Sequence, residues 1–185
     1  MINLLLVLGP LAIWLTVSQI TRLRPEPGIW PPQRGNLFTS IWAWAITALI
    51  YLGLWNLGTA NMNPANLPAI VTWGLGGALL FLGNFLHLKG LIDLGLSGTS
   101  GWDVGVVEAG SYAFMRHPQY AAQGMVFVGW GIFAANPITF LLSVAAALTL
   151  WHVAETEERV MARRHSEAYG RYRNRVAATR LLASR

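Results

Sequence analysis

Charge interrupts this chain in only three places. Residues 1–20, 35–88 and 118–154 hold no Asp, Glu, Lys or Arg, so all 13 basic and 8 acidic residues fall within 21–34, 89–116 and 155–185. A helix needs about 20 mostly apolar residues to cross a bilayer. On that measure the pattern predicts five spans, over about 2–20, 40–57, 67–88, 120–134 and 138–154. Pro25 and Pro27 forbid continuation of the first. Gly76, Gly77 and Gly83 in the third would let neighbouring helices approach closely. The fourth is short, and is expected to tilt or to draw on the residues just before it. "AANP" leaves room only for a tight helical hairpin into the fifth.

Five spans put the three charged segments on one face and the two neutral turns on the other. The positive-inside rule makes the charged face cytoplasmic, with the N-terminus outside and the C-terminus inside. The expectation is therefore an all-α, polytopic integral membrane protein, one domain over 1–185, sited in a bacterial inner membrane. From Glu155 onward the tail reads as a cytoplasmic helix over 155–185, because Met161, His165, Ala168, Tyr172 and Val176 recur at helical spacing. That stripe suits either the membrane interface or the protein's own cytoplasmic side.

Composition narrows the chemistry. The 185 residues are 54% hydrophobic and 11% charged, against about 25% charged for soluble domains. No cysteine is present, which removes disulfides, thiolate metal sites and a Cys nucleophile. The first segment lacks a basic lead and is long for a signal, so it reads as a retained span. The net charge of +5 flanks apolar helices, where basic residues face lipid headgroups; no nucleic-acid partner is expected. His152 and Glu155 are three apart on one helix without a second such pair, so no metal site is expected.

The groups able to do chemistry gather in two places, "GSYAFMRHPQY" (110–120) and "ETEERVMARRHSEAYGRYRNRV" (155–176). Taken singly, Arg116, Tyr112 and Tyr120 read as interfacial anchors. Taken together they read as a polar ligand pocket at the membrane edge. Glu155, Glu157 and Glu158 crowd a helix end whose carbonyls disfavour anions, and Pro118 sits where a first-turn proline is tolerated. The glycine-rich approach from Gly95 to Gly110 gives backbone room for a ligand.

These two stretches resemble the isoprenylcysteine carboxyl methyltransferase and phospholipid methyltransferase superfamily: Gly-x-Tyr, Arg-His-Pro-x-Tyr, a Glu-Glu pair, then Tyr-x-x-Tyr. The resemblance implies a membrane enzyme that uses S-adenosylmethionine in a cytoplasmic pocket, with a lipophilic acceptor entering from the bilayer. By position it assigns Tyr112, His117, Pro118, Gln119, Tyr120 and Glu157 to the cofactor, with the backbone of Val104, Gly105, Val106 and Val107 closing over it. Arg116, His117, His152 and Glu158 are the candidate catalytic residues. Two positions depart from the carboxyl methyltransferases. Val153 replaces the arginine that meets an acceptor carboxylate, and Val104 replaces a histidine opening the cofactor loop. The preferred acceptors are therefore a phospholipid amine or a small lipophilic amine or thiol, with transfer to N or S. A prenylcysteine-type carboxyl methyltransferase, an NADPH-dependent membrane reductase and a non-catalytic membrane subunit remain alternatives.

Overall fold

The computed structural model describes residues 2–24, 29–32 and 34–176. Among them the chain forms six α-helices: α1 Ile2–Leu23, α2 Leu37–Ala60, α3 Gly77–Thr99, α4 Pro118–Ala134, α5 Pro137–Arg164 and α6 Ser166–Arg175. A π-helical stretch, Ile70–Gly76, leads directly into α3. Four of these elements are long and apolar enough to cross a membrane: Ile2–Leu23, Leu37–Ala60, Ile70–Thr99 and Pro137–Arg164. Their flanks expose Ile2, Phe38, Trp73, Phe81 and Leu141, large apolar side chains suited to contact with lipid. The protein is an integral membrane protein.

The fourth apolar segment draws on two residues before its expected start and no more, because Pro118 has no N–H to continue a helix backward and His117 is non-helical, at φ −129° and ψ 57°. At 17 residues α4 is about 25 Å long. It lies between α3 and α5 and buries Ala122, Val126, Phe127 and Trp130, so it is the centre of the bundle rather than part of its lipid-facing wall.

Small residues bring α3 and α4 together. A β-carbon on Gly83 would lie 2.9 Å from the Ala122 carbonyl oxygen, and one on Gly76 would lie 2.7 Å from the Phe133 nitrogen. Gly77 does not share this role, since nothing lies within 4 Å of its β position. The second charged segment is also a shorter connection than its sequence suggests. α3 runs on to Thr99 and absorbs Lys89 and Asp93, bending at Gly95, whose φ of +76° an L side chain rarely adopts.

Hydrogen bonds place the two neutral turns together at one end. Asn63 N donates to the Ala134 carbonyl at 2.8 Å, and Asn136 Nδ2 to the Asn61 carbonyl at 3.2 Å. The charged segments meet at the other. Arg22 pairs with Glu155 at 3.1 Å, and Arg164 donates to the Pro31 and Pro32 carbonyls at 2.9 Å each. Past Arg164 the helix breaks at His165, so the expected tail helix is split: its first half continues α5 and its second half is α6. Tyr169 and Tyr172 of α6 are buried, so the stripe faces the protein's own end; residues 177–185 lie outside the described residues.

Overpacking a close helix contact costs about 1–3 kcal/mol. Gly83→Leu is therefore expected to lower the denaturation midpoint in detergent clearly, whereas Gly77→Ala leaves it level or raises it, alanine being the better helix former. Equal midpoints for Gly83→Leu and the parent would remove the close α3–α4 approach.

Candidate functional site

The charged end encloses a cavity with about 870 Å³ of empty space, open on one side to solvent. Three chain segments supply most of its polar groups, with Pro31, the end of α3 and Tyr169 and Tyr172 of α6 completing the lining. α5 supplies Glu157, Glu158, Met161 and Arg164, and the start of α4 with its preceding turn supplies Arg116, His117, Gln119 and Tyr120. The connection after α3 supplies Trp102, Asp103 and the backbone strip Val104–Val107.

Glu157 ties two other segments to α5. Its Oε1 accepts from Trp30 Nε1 at 2.7 Å and from the Tyr120 hydroxyl. Glu158, one residue on, faces a different pair. Its Oε1 accepts from His117 Nε2 at 2.7 Å and lies 3.2 Å from Arg116 Nε. The Arg116 contact is an ion pair whose angle misses a hydrogen bond, which leaves a buried guanidinium N–H with no hydrogen-bond partner. Burial and then the Glu157 charge push the Tyr112 phenol well above its usual range, so it stays a proton donor. Burial likewise pushes the Tyr172 phenol up to about 12. That hydroxyl donates to the Tyr112 carbonyl at 2.8 Å, which docks α6 over the cavity.

The loop 101–110 is tied at both ends. His165 Nε2 donates to Asp103 Oδ1 at 2.8 Å, and the same oxygen accepts from Gly105 N at 3.0 Å. Arg175 pairs with Glu108. At the far end Ser111 N donates to Asp93 Oδ2 at 2.6 Å; Gly110, with φ +61°, lets the chain pass so close that a β-carbon would sit 2.4 Å from that carboxyl.

Most of the residues singled out in the sequence come together here. Val104, Gly105, Val106, Val107, Tyr112, Arg116, His117, Gln119, Tyr120, Glu157 and Glu158 all line the cavity. Pro118 does not; it is buried as the first residue of α4 and fixes where that helix starts. His152 is not brought to the cavity. It lies 3.3 Å from Gln19 on the side of α5 that faces α1, and its carbonyl accepts from Arg22, because five residues along a helix turn a side chain well away from Glu157. Val153 is on the right face but one turn too deep. It is 0% exposed within the apolar core, so its lack of charge carries no information about the acceptor. Sequence reasoning missed Trp30, Asp103, Met161 and Arg164. Only Met161 and Arg164 had a signal, lying three to four and six to seven residues beyond the glutamates on the same helix. Among the described residues no group of three or more His, Asp or Glu is arranged to hold a metal.

The charged end of this helical membrane bundle thus carries a cavity lined by four tyrosines together with carboxylates, arginines and a histidine. The family model for phospholipid methyltransferase matches residues 71–168, more than half of the chain, and the chain belongs to that family. Membership makes it a membrane methyltransferase, of a family whose enzymes use S-adenosylmethionine. No curated protein and no solved structure matches the chain.

Burial raises the Asp103 carboxyl, but the Gly105 N–H, His165 and Arg164 outweigh it and hold the group below its usual range. A depressed carboxyl stabilises its contacts above the unfolded pKa of about 3.9 and loses them as pH falls through the folded value. The Gly105 amide is thus expected to stay protected from hydrogen exchange, corrected for intrinsic rate, from pH 7 down to about 4 and to open below it. Asp103→Ala should open it already at pH 7. A parent that loses protection near pH 6 would assign the latch to another group.

Proposed function

We propose that the cavity at the charged end holds S-adenosylmethionine and that the protein moves its methyl group to the amine of a phospholipid. One observation carries the reading: apart from Pro31, Tyr169 and Tyr172, the whole lining of the cavity lies inside the family-matched segment.

The residues present fit the cofactor's groups. The buried Arg116 N–H without a hydrogen-bond partner is a donor for a carboxylate. Glu157 and the phenol faces of Tyr112 and Tyr120 offer negative potential to a cation. The strip Val104–Val107 adds apolar cover, with open space at Gly105, where nothing lies within 4 Å of the β position. When bound, the cofactor supplies an electrophilic methyl group on a sulfonium. The chain's task is then positioning and exclusion of water, since an in-line displacement gains most from alignment of the two reactants. Glu158, held by His117 and Arg116, orients that pair. Tyr169 and Tyr172 cover the opening from α6, and Arg164 holds the 31–32 turn down over the α5 end.

The orientation follows from the same reading. A water-soluble cofactor made in the cytoplasm requires the charged end to face it, which agrees with the excess of basic residues there. The chain has no cysteine, so single cysteines report sidedness cleanly. Ala65→Cys in intact cells is expected to react with an impermeant maleimide, and Arg171→Cys only after permeabilisation. The reverse pattern would overturn the orientation and, with it, a cytoplasmic cofactor site.

Losing a hydrogen bond to a charged group costs about 1.5–3 kcal/mol. Glu157→Gln should therefore weaken S-adenosylmethionine binding about ten- to a hundredfold by calorimetry of the detergent-solubilised protein, and His117→Ala should weaken it as well. Arg171→Ala, at a side chain 65% exposed, should bind like the parent. Parent-like affinity in both site variants would move the cofactor elsewhere.

A further inference from the structure

Behind the first cavity, among the apolar helices, lies a second with about 540 Å³ of empty space. The two share Thr99, Gln119 and Tyr120, and Gln119 Nε2 donates to Thr99 Oγ1 at 2.8 Å across the boundary. The inner cavity has no carboxylate, lysine or arginine in its lining. It has three indoles, Trp14, Trp30 and Trp44, together with His87 of α3. Trp30 and Trp44 have their N–H groups engaged, with Glu157 and with Ser100, which fixes their rings. Trp14 Nε1 is fully buried and has no partner in the structure. An unfilled donor and a triple indole lining suit a ligand that offers both oxygen and a cation.

His87 has a defined polarity. Its Nδ1 lies 3.4 Å from the Gln119 carbonyl; a carbonyl oxygen only accepts, so in the neutral ring Nδ1 carries the hydrogen and Nε2 keeps the lone pair. The ionisable groups around it are few. From α4 there is Tyr120, bonded in turn to Glu157 of α5. On α3 itself Lys89 is paired with Asp93 at 2.5 Å. Trp14 and Trp44 bring no titratable group from α1 and α2.

We propose that the inner cavity seats the acceptor amine, its ammonium held against the faces of Trp14, Trp30 and Trp44, and that His87 removes the proton that blocks its attack. This rests on the outer cavity being the cofactor's. A primary ammonium has no lone pair to give. Transfer of one N–H proton to His87 Nε2 frees that pair, which forms the new N–C bond as the methyl–sulfur bond breaks and its electrons stay on sulfur. The product nitrogen is again a cation, the cofactor leaves as a neutral thioether, and the imidazolium returns its proton to water. A thiol or carboxyl acceptor would have no use for three indole faces, because neither presents a cation.

The test separates the seat from the cofactor. Dihexanoyl phosphatidylethanolamine, a soluble amine phospholipid, is titrated calorimetrically into cofactor-free protein. Trp44→Leu should weaken its binding about tenfold and Trp44→Phe should restore most of it, while S-adenosylmethionine affinity stays at the parent value. His87→Asn keeps a donor toward the Gln119 carbonyl but removes the proton acceptor. Its turnover should fall about a hundredfold at pH 7, with the deficit closing about tenfold or more at pH 9.5, where the amine sheds its own proton. Binding of the amine lipid that ignores Trp44, or a His87→Asn deficit equal at both pH values, overturns the proposal. Normal amine-lipid binding by a protein that fails to bind S-adenosylmethionine would instead overturn the reading of the outer cavity and leave the amine seat standing.

Discussion

A carboxylate taken out of water must be given hydrogen bonds by the protein, or it will not stay ionised and buried. Glu157 is in that position, and its partners tie the charged end together. Trp30 comes from the connection between α1 and α2, and Tyr120 from the first turn of α4. Removing either donor would leave the carboxylate one hydrogen bond short, so the segment 29–32, α4 and α5 are bound to one geometry. That geometry has a second effect. Tyr120, held by Glu157, is also part of the boundary between the cavity that carries charged groups and the one that carries no carboxylate, lysine or arginine.

The boundary depends on packing as much as on hydrogen bonds. A β-carbon on Gly90 would lie 2.7 Å from Gln119 Cγ, so α3 must be bare there for the Gln119 side chain to lie across its surface and reach Thr99. Gly83, about two turns deeper, lets the same two helices touch along their backbones. Charge at one end sets the site's contents, and absent side chains along α3 set its floor. Neither would position the other without Pro118, which makes α4 begin where His117 and Gln119 must diverge toward different partners.

The helices were legible because apolar runs free of charge have few alternative readings in lipid. The cavity residues of 104–107, 112–120 and 157–158 were legible because polar groups are rare enough in such a chain that a cluster of them stands out. What escaped notice did so for physical reasons. Gly95 and Gly98 made residues 89–99 look like a loop, yet the glycine at 95 only bends a helix that tertiary contact with α4 sustains. His152 was assigned by proximity in sequence to the glutamates, whereas helical phase turns it toward Gln19 and Arg22. Trp30 carried no motif, and only the closing of the chain on itself brings it 127 residues along to Glu157. His87 sat within an apolar run and read as part of a span.

Methyl transfer to a lipid sets two demands that oppose each other. A charged, water-soluble cofactor needs polar walls, while a lipid acceptor needs a path that keeps its chains in hydrocarbon. A single mixed pocket would have to desolvate charge among acyl chains, at several kcal/mol for each unpaired ion. On the reading proposed for the two cavities, the opposition is resolved along the bundle axis. Ion pairs and tyrosines lie at the end, indoles and a single imidazole lie inward, and neutral hydrogen-bonding groups (Thr99, Gln119 and the Tyr120 hydroxyl) lie between. Neutral groups suit that boundary, because a fixed charge there would stabilise one reactant's charge at the other's expense. The absence of any carboxylate, lysine or arginine from the inner lining is thus the counterpart of their concentration outside it, and the uneven distribution of charge along the sequence is the same arrangement seen in one dimension.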